Sequence, residues 1–303
     1  MPEFRIKDFQ SRVAKLAFSS DRMTYGTQIA ICYLRTVASK PCESDFVKLG
    51  KVSDYIQRFS DEHYLVLGMS GDAREVIPIT AYVDASDGTT AKGRGVGAMT
   101  LTLGRGAVMR TSKMLKINGY SSTHCELVNC AEQGKTVLYL SEYLKNMGFR
   151  TDIVIYQDNA AAMANMLSCQ KPTLKYLSQK YFWLRDLVER GEVKIQKCDT
   201  KYMICDIDTK PMTSLWKFHL FNGMISGKAG WIGHKDVCHD LLDNKIHMSG
   251  PHEGEVITDA NFDMDLVEKV FMNMDRTFMK DITEKMQRWK RRPKNGKRKM
   301  EGT

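Results

Sequence analysis

The sequence predicts an α/β domain in which three antiparallel strands come first and strands alternating with helices follow. Three observations predict it. The run Ile79-Thr80-Ala81-Tyr82-Val83-Asp84-Ala85-Ser86-Asp87 alternates and then ends in carboxylates, as a central strand delivering Asp84 to its rim would. Gly104-Arg105-Gly106 separates two further strand-like runs with hairpin chemistry. Beyond residue 123, helical and strand periods take turns, giving the order βββ-α-β-α-α-β-α.

Residues 1–74 read as a helical segment. Asp21 is a candidate cap for a helix carrying Ile29, Ile31, Cys32 and Leu34, which Lys40-Pro41 closes. A second helix, capped near Ser44, lines up Phe46, Leu49, Val52, Ile56 and Phe59 on one stripe. The Asp84 strand follows, then a second strand over 96–103 and a third over 107–112. Gly93, Gly95 and Gly97 are turn glycines, because no helix follows them and no Gly-x-Gly-x-x-Gly occurs.

A long helix is expected from about Thr123 to Asn146, with Leu127, Cys130, Ala131, Leu138 and Leu144 on one face and Gly148 as its stop. Residues 151–157 form a short buried strand ending at Asp158-Asn159. Helices over 160–167 and 174–190 precede a fifth strand over 193–197. Met203 opens a helix that Pro211 interrupts. After about Gly227 the pattern weakens, although 262–289 has an amphipathic period through Leu266, Val270, Met274, Phe278, Ile282 and Met286.

The composition is that of a globular protein, with 43% hydrophobic and 27% charged residues in 303. No run is long enough to cross a bilayer and no signal-peptide core opens the chain, so an intracellular protein is expected, cytoplasmic or nuclear. The eight Cys stand singly and no pair has Cys-x-x-Cys spacing, so free thiols are expected. The net charge of +9 resides in nine basic residues between Lys285 and Lys299, a stretch without one acid. That tail suits a polyanion or nuclear import, or is a plain disordered end.

Four carboxylates fall where this order of elements would let them meet: Asp84, Glu126, Asp158 and Asp206. Each has a structural explanation taken alone. Asp84 and Asp158 start loops after strands. Glu126 completes Thr123-x-x-Glu126, a capping box in the first turn of the long helix. Asp206 and Asp208 suit an acidic helix start. Together they suit a different chemistry. Hydrolysis of a phosphodiester by two divalent ions about 4 Å apart requires hard oxygen ligands converging from several elements on one rim.

At these residues the sequence resembles the ribonuclease H domain of a copia-type retrotransposon Pol polyprotein. The matching stretches are Tyr82-Val83-Asp84-Ala85-Ser86-Asp87, Thr111-Ser112-Lys113, Ser121 to Leu127, Ile155-Tyr156-Gln157-Asp158-Asn159, and Cys205-Asp206-Ile207-Asp208-Thr209-Lys210-Pro211. Their order and spacing fit across roughly residues 76–227, half the chain. Upstream, Phe9 to Leu16 and Ser39-Lys40-Pro41 resemble the tail of the reverse transcriptase that precedes this domain. The polymerase's Tyr-x-Asp-Asp is absent. In Tyr82-Val83-Asp84-Ala85, Ala85 stands where a second Asp would be required, so no polymerase activity is expected.

The resemblance implies a ribonuclease H-like fold over 75–227, a five-stranded mixed sheet flanked by helices, followed by a divergent extension over 228–303. It implies Asp84, Glu126, Asp158 and Asp206 as the catalytic quartet that binds two Mg²⁺, with Mn²⁺ as a substitute. Asp84 and Asp158 would serve both ions, and Glu126 and Asp206 one each. Asp208 ranks below Asp206, which occupies the family's position before Thr-Lys-Pro. Ser112, Lys113, Asn159 and Lys210 become candidates for contacting nucleic acid. The implied substrate is an RNA–DNA hybrid, and the implied partner is the reverse transcriptase portion of a longer Pol polyprotein. No membrane and no small-molecule cofactor are expected.

Two departures bear on activity. Leu174-Lys175-Tyr176 stands where the family carries Thr-Lys-His, and His124 stands where it carries a second acid. They leave open an alternative: a catalytically inactive or domesticated fragment acting as a nucleic-acid-binding module. His234, Cys238, His239 and His247 do not make a zinc site, because adjacent Cys238-His239 fits no ordinary ligand spacing. Phe182 and Trp183 could stack on bases, but on an amphipathic helix they read as packing residues.

Overall fold

The apolar run at 77–85 is buried because it becomes the middle strand of a sheet covered on both faces. In the computed structural model, which describes residues 2–60, 65–69, 76–88, 90, 93–167 and 183–228, this strand is β2, Ile77–Ala85. A two-residue strand, β1 (Gly68–Met69), precedes it. After it come β3 (Val96–Thr102), β4 (Gly104–Arg105) and β5 (Ala107–Met114). Then β6 (Thr151–Gln157) and β7 (Lys194–Lys197) complete a five-stranded sheet in the order β5-β3-β2-β6-β7. Within it β2-β3 and β3-β5 are antiparallel, and β2-β6 and β6-β7 are parallel. This is the mixed sheet expected.

Side chains alternate across the sheet, so β2 feeds two cores. Ile77, Ile79, Ala81 and Val83 face a layer made by the helices α4 (Ser122–Asn146), α5 (Ala160–Leu167) and α6 (Trp183–Glu189), through Leu127, Ala131, Met166 and Leu184. Tyr82 faces the other way with Ala98 and Tyr156, against two 3-10 turns, Thr200–Tyr202 and Ile204–Asp208, and against α7 of the C-terminal side (Leu215–Ile225). Trp183 packs against the first core, as a packing residue should.

Three helices precede the sheet: α1 (Glu3–Ser20), α2 (Gln28–Val37) and α3 (Glu43–Arg58). They share a small core of Phe9, Val13, Leu34 and Leu49, while Ile29 and Cys32 of α2 pack against Val96 of β3. Several local expectations are corrected. Asp21 closes α1 rather than opening α2, and its carboxylate pairs with Arg35 at 3.3 Å. Cys42, not Ser44, caps α3, with Asp45 accepting from the Cys42 N–H at 3.0 Å.

Ser121 caps α4 by accepting the His124 N–H at 3.2 Å, so Thr123-x-x-Glu126 is no capping box and Glu126 enters the second turn. The stretch from Met203 winds into tight 3-10 turns before α7 instead of one interrupted helix. The Gly104-Arg105 turn is itself paired with β1. Beside it, the Val66 N–H donates to the Ser226 carbonyl at 2.8 Å and Arg105 Nε donates to the Gly227 carbonyl at 2.6 Å.

Cys32, Cys42, Cys125, Cys130, Cys198 and Cys205 are free thiols, all buried except Cys42. Among the described residues no helix is long and apolar enough to cross a membrane. Most of the helix expected over 174–190, the amphipathic run 262–289, the set-aside His and Cys residues and the basic tail lie outside the described residues.

One buried ion pair ties β5 to the turn after β7. Arg110 NH2 donates to Asp208 Oδ1 at 2.6 Å and Oδ2 at 2.9 Å, and its Nε reaches Oδ2 at 3.2 Å. Both side chains are almost fully buried, at 3% and 0% exposure. Burial pushes the Asp208 carboxyl up and Arg110 opposes it. Removing one partner leaves an uncompensated charge, whereas removing both does not. Arg110→Ala should therefore cost about 3–5 kcal/mol in urea unfolding, and Arg110→Met with Asp208→Leu should recover most of that loss.

Candidate metal centre

Because β2 and β6 run parallel, Asp84 near the end of one and Asp158 just past the other emerge at the same edge of the sheet. Ligand sites in such sheets gather at the carboxyl ends of the strands. Helix α4 packs on β2 and brings Glu126 to this edge, where its carboxylate accepts the Ala85 N–H. Asp84, Glu126 and Asp158 each offer a carboxylate oxygen, and these atoms lie within 4.8 Å of one another. Asp206 falls outside that triad but shares a side-chain hydrogen bond with Asp84.

Neutral polar groups hold each acid from behind. Asn129 Nδ2 donates to the backbone carbonyls of Asp84 at 2.7 Å and Ala98 at 2.9 Å, bridging β2 and β3. A Cβ on Gly97 would come within 2.3 Å of Asn129 Oδ1, so glycine there makes room for the amide. The amide is itself steadied by Gln133 at 3.2 Å, and Gln133 by Thr111 at 3.0 Å. The Thr209 hydroxyl donates to Asp84 Oδ2. Thr200 Oγ1 donates to Asp158 Oδ2 at 2.9 Å. Gln157 Nε2 donates to Glu126 Oε2 at 3.2 Å, while its Oε1 accepts the Asp158 N–H at 2.8 Å and the Asn159 N–H at 3.2 Å.

The electrostatics follow from crowding. Burial, then the charges of Asp84 and Asp158, push Glu126 up to about 10. Burial, then Asp84, push Asp206 up to about 7, against the pull of Lys210 at 2.9 Å. Asp158 is raised by burial and by Asp84, with Thr200 and Lys210 opposing. Like charges this close favour either bound protons or a bound cation. An all-oxygen donor set with no thiolate or imidazole in it suits a hard divalent ion, so the cluster fits a divalent metal.

The sequence-based candidates for nucleic-acid contact separate. Ser112 is 4% exposed and its hydroxyl donates inward to the Asp208 carbonyl at 2.6 Å, so its side chain offers nothing outward, a correction. Lys113 is exposed on β5, opposite Gly97. Asn159 is half-buried and its Oδ1 accepts the Ala162 N–H at 2.9 Å, capping α5. Lys210 is half-buried beside Asp206. Asp208 belongs to the Arg110 pair and not to the cluster. Cys125 and Cys130 are fully buried, as core residues.

Sequence reasoning missed Asn129, Gln157, Thr200 and Thr209. Gln157 and Thr209 lie inside the motif stretches, and that proximity is the available signal for two of the four.

The five-stranded mixed sheet and its flanking helices are those that the sequence resemblance implies. The chain is also similar to a retrotransposon polyprotein, as the motifs imply. Over 111 residues, 36% of the chain, it is 28% identical to the retrovirus-related Pol polyprotein from transposon TNT 1-94 of Nicotiana tabacum. It spans 8% of that relative's length. No family model matches it. Among solved structures it is similar to LC11-RNase H1 isolated from compost, at 10% identity over 42% of this chain and 87% of that one, with a TM-score of 0.33. It is also similar to the foamy viral protease-reverse transcriptase in complex with an RNA/DNA hybrid, at 13% identity over 69% of this chain and 26% of that one, TM-score 0.43.

The raised Glu126 carboxyl has a measurable consequence. The metal-free folded chain holds this proton more tightly than the unfolded chain, so its contribution to stability is full below the ordinary 4.5 and is lost as pH rises toward about 10. In EDTA, melting temperature should fall between about pH 5 and about pH 8, and Glu126→Gln should flatten that fall. An equal pH slope in the variant would contradict the assignment to Glu126.

Proposed function

We propose that this chain hydrolyses the RNA strand of RNA–DNA hybrids endonucleolytically, as a ribonuclease H-type enzyme acting in retrotransposon reverse transcription. The observation that carries the reading is the convergence of Asp84, Glu126 and Asp158 within 4.8 Å at the carboxyl edge of a mixed sheet. The similarity to a Pol polyprotein supports the retroelement context.

Asp84, Glu126, Asp158 and Asp206 would hold Mg²⁺, with Mn²⁺ able to replace it. When bound, a pair of such ions supplies Lewis acidity that activates water and offsets charge on the leaving 3′ oxygen. The protein's own part is to bind and to orient the ligands, whose crowded carboxylates exchange bound protons for the cation. The resemblance implies Asp84 and Asp158 as ligands shared by both cations; one stands near the end of β2 and the other just past the end of the adjacent parallel strand β6. Asp206 would act through its contact with Asp84, and Lys210 beside it offers a cation to a substrate phosphate. Lys113 offers a second contact to the duplex backbone. RNA would be told from DNA by its 2′-hydroxyl in the shallow minor groove. The products would carry 5′-phosphate and 3′-hydroxyl ends.

A second reading is a nucleic-acid-binding module without turnover, and the basic run Lys285–Lys299 favours it. Metal dependence separates the two. A binder retains hybrid in EDTA, with affinity falling steeply as salt rises.

The deciding experiment is cleavage of a labelled RNA–DNA hybrid with Mg²⁺ by the full chain and by Asp158→Asn. The unsubstituted chain should cut only the RNA strand. The variant should lose more than the roughly 10–100-fold typical of residues behind metal ligands. Hybrid binding by both proteins without any cutting would favour the second reading, and equal cutting by both would remove Asp158 from the site.

A further inference from the structure

A buried amide joins one of the three clustered carboxylates, that of Glu126, to the backbone of the residue that carries another, Asp158. Gln157 is the last residue of β6 and is fully buried. Its Oε1 accepts two backbone N–H groups, those of Asp158 and Asn159, and neither can do anything but donate. That chemistry fixes the orientation of the amide, so the group facing Glu126 Oε2 at 3.2 Å is Nε2. One side chain therefore grips the first two residues of the loop that carries Asp158 and, at its other end, the carboxylate from α4.

The other side-chain bonds around the cluster make different links. Asn129 ties β2 to β3, Thr209 reaches Asp84, and Thr200 reaches Asp158 from the far side. Without Gln157, Glu126 would keep the Ala85 N–H but lose its connection to the β6 edge. A leucine there would also take away the acceptor that the Asp158 and Asn159 N–H groups share.

We propose that Gln157 is a positioning residue for the metal ligands, its amide setting the separation of Glu126 from Asp158. The proposal rests on the metal-binding reading of these carboxylates. Its role is reach rather than polarity, and this distinguishes it from a residue that merely satisfies a buried strand end. Asparagine has the same donor and acceptor but is one methylene shorter, too short to hold both ends of the span.

The test is Mn²⁺ binding by the full chain, read from loss of the free-ion electron paramagnetic resonance signal, for the unsubstituted protein, Gln157→Leu, Gln157→Asn and Asp84→Asn. Melting curves of the same proteins in EDTA report folding separately. Both Gln157 variants should bind Mn²⁺ roughly 10–100-fold more weakly, the range for residues that orient metal ligands. Their hybrid cleavage should fall through kcat, with KM for hybrid little changed, since the amide is buried away from any duplex. Restoration of Mn²⁺ affinity by asparagine would overturn the reach argument, as would unchanged affinity in Gln157→Leu. No Mn²⁺ binding by the unsubstituted chain, or equal binding by Asp84→Asn, would overturn the metal reading and the proposal with it.

Discussion

Mutual repulsion among buried carboxylates is the constraint on which this architecture depends. Asp84, Glu126 and Asp158 would move apart if the backbone let them, and Asp206 adds a further negative neighbour. What holds them is mostly uncharged. Amides and hydroxyls from Asn129, Gln157, Thr200 and Thr209 supply donors without cancelling the negative potential that a divalent ion needs. Only Lys210 brings a formal charge to contact distance among the described bonds, and it sits on the outer acid. A site neutralised by several arginines would be more stable empty and worse at holding a metal.

Charge is dealt with differently one layer back. Asp208, two residues beyond Asp206, is fully neutralised by Arg110, and the pair pins the 3-10 turn to β5. The Ser112 hydroxyl grips the same turn through the Asp208 carbonyl. The stretch that presents Asp206, Thr209 and Lys210 is thus anchored by a buried ion pair, while the acid it presents is left beside like charge. Adjacent residues of one turn serve opposite purposes, and burial alone does not tell them apart.

The sequence carried much of this, unevenly. Residues 151–157 and 160–167 are read with the observed bounds, because Gly148 and Asp158-Asn159 punctuate short elements clearly. The central strand and the hairpin strands were legible from alternation and turn glycines. The α4 cap was misread because Ser121 and Thr123 are equally able caps, and only the path of the chain from Tyr120 decides between them. That error mattered, since the capping box was the main structural explanation for Glu126. Ser112 looked available for a partner because no local pattern reveals that a turn 96 residues later lies over it. Gln157 looked like an ordinary polar strand end. Its meaning depends on α4 arriving opposite, a contact 31 residues distant in sequence.

The small pairing of β1 with β4 has a mechanical side. Residues 65–69 enter the sheet domain and residues 226–227 leave it, and the two are fastened together by the Val66–Ser226 bond while Arg105 clasps Gly227. Entry and exit of the chain therefore share one buckle. Tension applied between residues 65 and 228 falls on those few bonds before it reaches β2.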